Sequence, residues 1–264
     1  MNIFLREFRA NRKSLLIWSG IVIVFSLVGF SKFTAFFENP QLTAMLDAMP
    51  PALLDAMSIN AFNLTTVSGF FGMMYLYNSL ILTIAAIMWG SVIISKEERD
   101  RTVEFSLTLP VTRTKIVLSK VAVVIVNCML LLLVTWGITL VSAQQFDPDA
   151  AFYKFVSISM LAYFILQMVF MALGVLLACA LKRHKRSGSM AVSLVLVSYF
   201  LSMVSGIRSD LEFIRYLTPF KYFDPVLLLH ESKLEIPFVL LSAAIFLAAL
   251  AAALMAYQKR DLYI

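Results

Sequence analysis

Six apolar runs, separated by short polar or charged segments, constrain this chain more than any other feature. An α-helix needs about 20 apolar residues to cross the roughly 30 Å hydrocarbon core of a bilayer. Runs of about that length occupy residues 14–30, 70–95, 121–143, 155–181, 189–206 and 236–257. With 61% hydrophobic and only 14% charged residues, the chain cannot cover a water-exposed surface. The sequence therefore predicts an all-α, polytopic membrane protein with six transmembrane helices, in a single transmembrane domain over residues 1–264.

Lysine and arginine are divided unevenly between the two sides of this predicted topology. Segments 1–13, 96–120, 182–188 and 258–264 hold 16 of the 22 basic residues but only 6 of the 16 acidic ones. Because short cytoplasmic segments carry the positive excess, we expect both termini in the cytoplasm and the protein in the inner (cytoplasmic) cell membrane. The same asymmetry explains the formal net charge of +6. It gives no indication of nucleic-acid binding, since the basic residues form no patch on a soluble domain.

The first thirteen residues combine apolar and basic side chains. Four apolar residues alternate with four basic ones, namely Ile3, Phe4, Leu5 and Phe8 with Arg6, Arg9, Arg12 and Lys13. This pattern predicts an N-terminal amphipathic helix in the membrane interface, with its basic residues toward anionic membrane lipids. A simple topogenic anchor explains the pattern equally well. The following run ends in GFSKF without a cleavage site of small residues, so we predict that it is a retained first span.

Signatures of catalysis and of metal binding are absent from the sequence. There is no phosphate-binding loop, no HExxH zinc motif, no GxSxG nucleophile motif and no dinucleotide fingerprint. Cys128 and Cys179 lie inside predicted spans, whereas His184 and His230 are isolated in loops. We therefore predict no catalytic residue, no metal site and no cofactor bound by this chain, and we do not expect it to be an enzyme.

The predicted spans contain few strongly polar side chains. None of the six runs includes Asp, Glu, Lys, Arg or His, although ion-coupled transporters normally place such groups in the membrane. Asn78, Asn127 and Gln167 are the most polar residues inside the runs. They are candidates for a substrate path, and the alternative is that they form hydrogen bonds between helices.

The charged segment between the second and third runs, KEERDRTVEFSLTLPVTRTKIVLSK at residues 96–120, is the strongest indication of a soluble partner. It has six basic and four acidic residues, together with an apolar set formed by Val103, Phe105, Leu107 and Leu109. Pro110 ends any preceding helix. The pattern predicts a short cytoplasmic helix parallel to the membrane that offers charged and apolar contacts. A solvated loop is the alternative.

This segment resembles the first cytoplasmic loop of type-2 permeases of ATP-binding-cassette (ABC) transporters, E-E-x-x-G-T-x-x-x-L-L-x-x-P-V-[ST]-R followed by a lysine. The matching residues are Glu97, Glu98, Thr102, Leu107, Pro110, Val111, Thr112, Arg113 and Lys120. Arg101 stands where the family usually has glycine, and Ser106 where it has a leucine. The resemblance extends over nearly the whole chain through PPALLDAM, LTPFKYFDP and the C-terminal QKRDLY.

The resemblance implies that the segment is a coupling helix that docks in a groove of a separate ATP-binding subunit. The residues assigned to this coupling are Glu97, Glu98, Arg101, Thr102, Phe105, Leu107, Pro110 and Arg113. It also implies a complex of two permease copies, identical or different, with two ATP-binding subunits. ATP and magnesium would be bound in those partners and not in this chain.

The resulting prediction is the permease subunit of an ATP-driven ABC exporter. The apolar spans favour an outward-moving amphipathic or hydrophobic substrate, such as a drug, an antimicrobial peptide or a lipid-like molecule. One alternative is a secondary transporter, which would require ion-binding groups in the spans. The other is a noncatalytic membrane scaffold or sensor subunit.

Overall fold

The computed structural model describes residues 3–35, 37, 48–50, 62, 64–99, 111–181, 184–205 and 214–259. Within these residues the chain is helical, and six helices are long and apolar enough to cross a membrane. The α-helices are α1 (Ile3–Phe33), α2 (Val67–Arg99), α3 (Arg113–Ala143), α4 (Ala150–Ala180), α5 (His184–Ser205), α6 (Ile214–Leu217), α7 (Pro225–Glu231) and α8 (Ile236–Lys259). The expected all-α fold with six membrane-spanning helices is confirmed.

Most of these spans are longer than the apolar runs that predict them. Helix α1 has 31 residues, or about 46 Å, so that residues 3–13 continue the first span directly and do not form a separate helix. No proline or glycine interrupts the chain between Ile3 and Trp18, and therefore nothing ends the helix at the apolar boundary. Helix α3 likewise begins at Arg113, eight residues before the predicted run. Charged side chains consequently belong to the ends of the spanning helices.

Local side-chain caps define several helix starts. The Thr112 hydroxyl accepts a hydrogen bond from the Lys115 amide at the start of α3. Asp149 accepts one from the Phe152 amide at 2.8 Å before α4, and Asp224 accepts one from the Val226 amide at 2.9 Å before α7. Because these oxygens satisfy amides that lack a partner in the first helical turn, each cap stops the helix from extending backward.

Helices α2 and α4 run in parallel and form the most deeply buried pair. Gly90 of α2 meets the Met171 carbonyl, and Gly174 of α4 meets the Ile87 carbonyl, so closely that a Cβ atom at either glycine would collide with backbone. Nearer the other end of the pair, the Tyr75 and Tyr163 rings stack with centroids 4.6 Å apart. Small residues permit this close approach of helix backbones. In lipid the hydrophobic effect contributes little to helix association, so the van der Waals contacts between the two helices stabilise the pair.

Helix α1 packs mainly against α3, and it contacts α2, which runs antiparallel to it, through side chains. The Trp89 indole donates a hydrogen bond to the Ser14 hydroxyl at 2.8 Å. At the end where α1 finishes, Phe33 stacks on Phe70 of α2 at 4.6 Å and lies edge-on to Phe146 at 4.7 Å. This aromatic cluster fixes the end of α1 opposite to its charged N-terminal part.

The described part of the connection from α5 to α8, residues 214–235, inserts into the bundle. Thr218 is fully buried and donates a hydrogen bond to the Ser198 carbonyl of α5 at 2.8 Å. Phe220 packs between Phe170 and Tyr199, with ring centroids 5.1 and 5.3 Å away. Burial raises the pKa of the Tyr222 hydroxyl, which therefore remains protonated and donates to the Tyr216 carbonyl at 2.7 Å.

Candidate coupling site

Helices α1, α3 and α5 begin, and α2, α4 and α8 end, at the same end of the bundle, which we call the basic end. Both ends of the segment 100–110, which lies outside the described residues, meet this end. The segment leaves the last turn of α2 and enters the first turn of α3. The contacts at these two helix ends therefore decide how a force on the segment reaches the bundle.

An ion-pair cluster of five side chains lies where the segment leaves α2. It joins three helices through Arg6 and Glu7 of α1, Lys96 and Glu97 of α2, and Lys120 of α3. The Lys120 ammonium is 2.8 Å from the Glu97 carboxylate, and Lys96 pairs with Glu7. Arg6 bridges the two carboxylates, at 3.4 Å from Glu7 and 3.5 Å from Glu97.

Burial makes this cluster different from a surface ion pair. Glu7 is 3% exposed, Glu97 5% and Lys120 1%. A buried charge that loses its partner costs several kcal/mol, because the protein cannot replace the lost hydration. The three helices can consequently not separate at this end without either breaking the ion pairs or admitting water. The cluster is therefore a joint that connects α1, α2 and α3.

A second joint lies where the segment returns to the membrane. The Arg113 guanidinium at the start of α3 donates to the Tyr257 and Gln258 carbonyls at the end of α8, at 3.4 and 3.3 Å. The Gln258 amide donates to the Thr114 hydroxyl at 3.0 Å. A cation at the last carbonyls of a helix also interacts favourably with the helix dipole. The start of α3 is therefore tied to the end of α8.

Only some of the predicted coupling residues are among the residues that the structure describes. Glu97 is in the ion-pair cluster, Arg113 is in the joint to α8, and Glu98 lies in the last turn of α2. The remaining assigned residues, Arg101, Thr102, Phe105, Leu107 and Pro110, lie outside the described residues. The coupling role of all eight assigned residues stays a prediction.

Sequence reasoning did not assign Arg6, Glu7, Lys96 or Lys120 to the site. One signal was available, since Glu7 is the only acidic residue among four basic ones in the first thirteen. On the helix it lies opposite the exposed cations, and its 3% exposure shows that this carboxylate faces the bundle. Its partner on α2 is far away in sequence and is not indicated by any local pattern.

The three candidate substrate-path residues are all buried within the bundle of one chain. Asn78 is 2% exposed and lies on α2 three residues after Tyr75, whose carbonyl accepts a hydrogen bond from the Tyr163 hydroxyl of α4 at 3.2 Å. Gln167 lies one turn from Tyr163 on the same face of α4. Asn127 of α3 is about two turns from Lys120, nearer the basic end. The structure therefore places Asn78 and Gln167 at one helix interface and Asn127 separately from them.

Gln167 offers a direct test of whether these residues bind a substrate or only pack. It is fully buried, and neither atom of its amide has a protein hydrogen-bond partner. If it only packs, Gln167→Leu removes an unsatisfied polar group, and we expect the melting temperature in detergent to rise by on the order of a few degrees. Gln144→Leu, at an exposed position, is the matched control. A lower melting temperature, or loss of transport with folding intact, would contradict the packing role.

An open cleft of about 540 Å³ lies at the opposite end of the bundle. Phe37, Ser68, Phe146, Asp147 and Asp149 are among the residues that line it. Asp149 already caps α4. Among the described residues, no group of His, Cys, Asp or Glu side chains is arranged to hold a metal ion.

Comparison with protein families decides the class of this protein. Residues 1–262 match the family described as ABC-2 family transporter protein. The chain belongs to this family. No individual curated protein matches it. The family match covers the apolar helices and both joints, and it identifies the chain as a permease component of a membrane transporter and not itself a catalyst. Permeases of the ABC-2 family generally work with ATP-binding subunits.

Proposed function

We propose that this ABC-2 chain is the permease subunit of an ATP-driven exporter and that its segment 100–110 docks on a separate ATP-binding subunit. ATP and magnesium would be bound by that subunit. Two permease copies, identical or different, would assemble with two ATP-binding subunits in the inner (cytoplasmic) cell membrane. The observation that carries the proposal is the pair of joints at the two helix ends next to the segment.

The orientation follows from charge. The basic end of the bundle carries the segments with the excess of lysine and arginine, so it faces the cytoplasm in this proposal, together with both termini. An ATP-binding subunit in the cytoplasm would reach segment 100–110 there. The cleft of about 540 Å³ would then face the outside.

The two joints suggest how the partner's motion reaches the membrane. Movement of the segment displaces the end of α2 and the start of α3, which the ion-pair cluster connects to α1. Arg113 transmits the same movement to α8. ATP changes the equilibrium between permease states only if the ATP-bound partner interacts differently with them. The two joints would carry such a difference into the bundle, because they connect the helix ends next to the segment to α1 and α8.

The charge distribution in the spans supports an amphipathic or hydrophobic substrate. In the described helices, Asp, Glu, Lys, Arg and His occur only toward the ends, and the middle of each span lacks them. A secondary transporter coupled to ions normally places such groups near the middle of the membrane. Drugs, antimicrobial peptides and lipid-like molecules therefore remain the favoured cargo.

Variants at the ends of the segment test the proposal. We expect Arg113→Gln, Glu98→Ala and Pro110→Gly to lower the stimulation of the partner's ATP hydrolysis by on the order of tenfold, equivalent to about 1.4 kcal/mol of coupling. Membrane insertion should be unchanged, because no apolar span is altered. The measurement is ATP hydrolysis by the reconstituted complex, with and without compounds of the favoured class. Arg215→Gln, at the opposite end of the bundle, is the matched control.

Three results would contradict the proposal. Equal stimulation in all four variants would remove segment 100–110 as the coupling element. Substrate movement that depends on an ion gradient and not on ATP would favour a secondary transporter. A complex that neither moves substrate nor stimulates ATP hydrolysis would favour a scaffold or sensor subunit.

A further inference from the structure

The outward face of α1 carries a group of cations that the proposed transport mechanism does not use. We propose that Arg9, Arg12 and Lys13 form a binding site for the headgroups of anionic phospholipids. All three side chains are exposed. This inference concerns the first helix of the chain alone and does not depend on the ATP-binding partner or on the substrate.

The continuous helix places the three cations on one face. At 3.6 residues per turn, Arg12, Arg9 and Lys13 fall within an arc of about 100°. Glu7 lies on the other side of the helix, where it is buried and paired with Arg6 and Lys96. Helix α1 thus has Glu7 on the face toward the bundle and these three cations on the opposite face.

The cations lie at the level where the membrane interface is expected. The same face continues immediately with Leu16, 70% exposed, and Ile17, 64% exposed. The change from charged residues at Arg12 and Lys13 to exposed apolar residues at Leu16 and Ile17 is expected at the boundary between headgroups and hydrocarbon. A phospholipid whose chains cover the aliphatic residues would therefore place its headgroup against the guanidinium and ammonium groups.

Other partners fit this face less well. Among the described residues, no carboxylate forms an ion pair with Arg9, Arg12 or Lys13, whereas Arg6, Lys96 and Lys120 all have one. A second copy related by a twofold axis through this face would bring like charges together. Phosphate groups supply the missing negative charge, and arginine binds them in a bidentate manner. Charge complementarity therefore favours anionic lipid.

The test compares lipid binding to the purified, delipidated chain in neutral detergent, where orientation in a membrane has no influence. Phosphatidylglycerol and phosphatidylcholine are titrated separately, and bound lipid is counted by native mass spectrometry. Since each basic residue contributes about a fivefold preference, we expect Arg9→Gln/Arg12→Gln to reduce the preference for phosphatidylglycerol by more than tenfold. Lys115→Gln/Lys259→Gln, which removes two exposed cations elsewhere at the basic end, should leave it unchanged.

A charge-conserving variant separates charge from folding. Arg9→Lys/Arg12→Lys should retain most of the preference, and the preference of the unaltered chain should fall as salt is raised. Equal binding of both lipids by the unaltered chain would overturn the proposal. An equal loss in both neutralised pairs would also overturn it, because the effect would then be one of net charge. Unaltered lipid preference in Arg9→Gln/Arg12→Gln, with binding of an acidic protein lost instead, would assign the face to a protein partner.

Discussion

Replacing Gly90 or Gly174 with valine is expected to destabilise the bundle by about 3 kcal/mol, near the upper end of the usual cost of overpacking. At either position a Cβ atom would collide with a backbone carbonyl of the facing helix, Met171 in one case and Ile87 in the other. A side-chain neighbour could change rotamer, but a backbone carbonyl moves only if the whole helix moves. Separating α2 from α4 would break the close backbone contacts at these two glycines. Overpacking of this kind typically costs about 1–3 kcal/mol and occasionally more.

The measurement is the yield and melting temperature of detergent-solubilised protein by size-exclusion chromatography after heating. Gly20→Val in α1 and Gly137→Val in α3 are matched controls, because a Cβ atom at either glycine meets nothing within 4 Å. In these controls valine also has the better helix propensity, so that we expect little change or a small gain. Equal stability of all four variants would show that the α2–α4 contact contributes little.

The second large effect is expected at the ion-pair cluster. Glu97→Gln removes the carboxylate closest to Lys120, which is only 1% exposed, and leaves that ammonium without its nearest compensating charge. We expect a loss of about 3–5 kcal/mol, the usual cost of a buried charge whose partner has been removed. Thermal unfolding in detergent measures it. Glu235→Gln is the matched control, because its pair with Arg215 is much more exposed and should contribute about 0–1 kcal/mol.

The double variant Glu97→Leu/Lys120→Met separates stability from coupling. Apolar residues of similar volume often replace a buried ion pair without loss, so most of the lost stability should return. If the cluster also transmits the partner's motion, stimulation of ATP hydrolysis stays low although the protein is stable. Recovery of both properties would limit the cluster to a structural role. If Glu97→Gln were as stable as Glu235→Gln, burial of the Glu97–Lys120 ion pair would not contribute to the stability of the bundle as we expect.

Sequence patterns predicted the number of spans correctly but not the helix ends. Hydropathy reports which residues can face hydrocarbon, and it changes at Ser14 and Val121. The helices continue past these points to Ile3 and Arg113, because no residue there breaks the backbone hydrogen-bond pattern. The hydropathy pattern also did not predict that Asn78 and Gln167 are buried at one helix interface. It assigns residues to spans but does not show which neighbouring helix they face.

The sequence indicated only some of the residues that form the two joints. The family resemblance indicated Glu97 and Arg113, and the structure shows each of them in a joint between helices. It did not indicate Arg6, which contacts Glu97 from 91 residues away. Such a contact depends on the register of α1 against α2, and that register is set by tertiary packing, including that of α1 against α3.

The sequence by itself determined that six helices cross a membrane and that the positive charge collects at one end. The physical reason is the bilayer, whose thickness sets the length of apolar runs and whose hydrocarbon excludes unpaired charge. Only the tertiary structure decided which charges of that end are buried in pairs and which remain outward. Glu7 turns inward to Lys96 while Arg9 on the same helix stays exposed, because close packing of α1 against α2 and α3 leaves one face of α1 free.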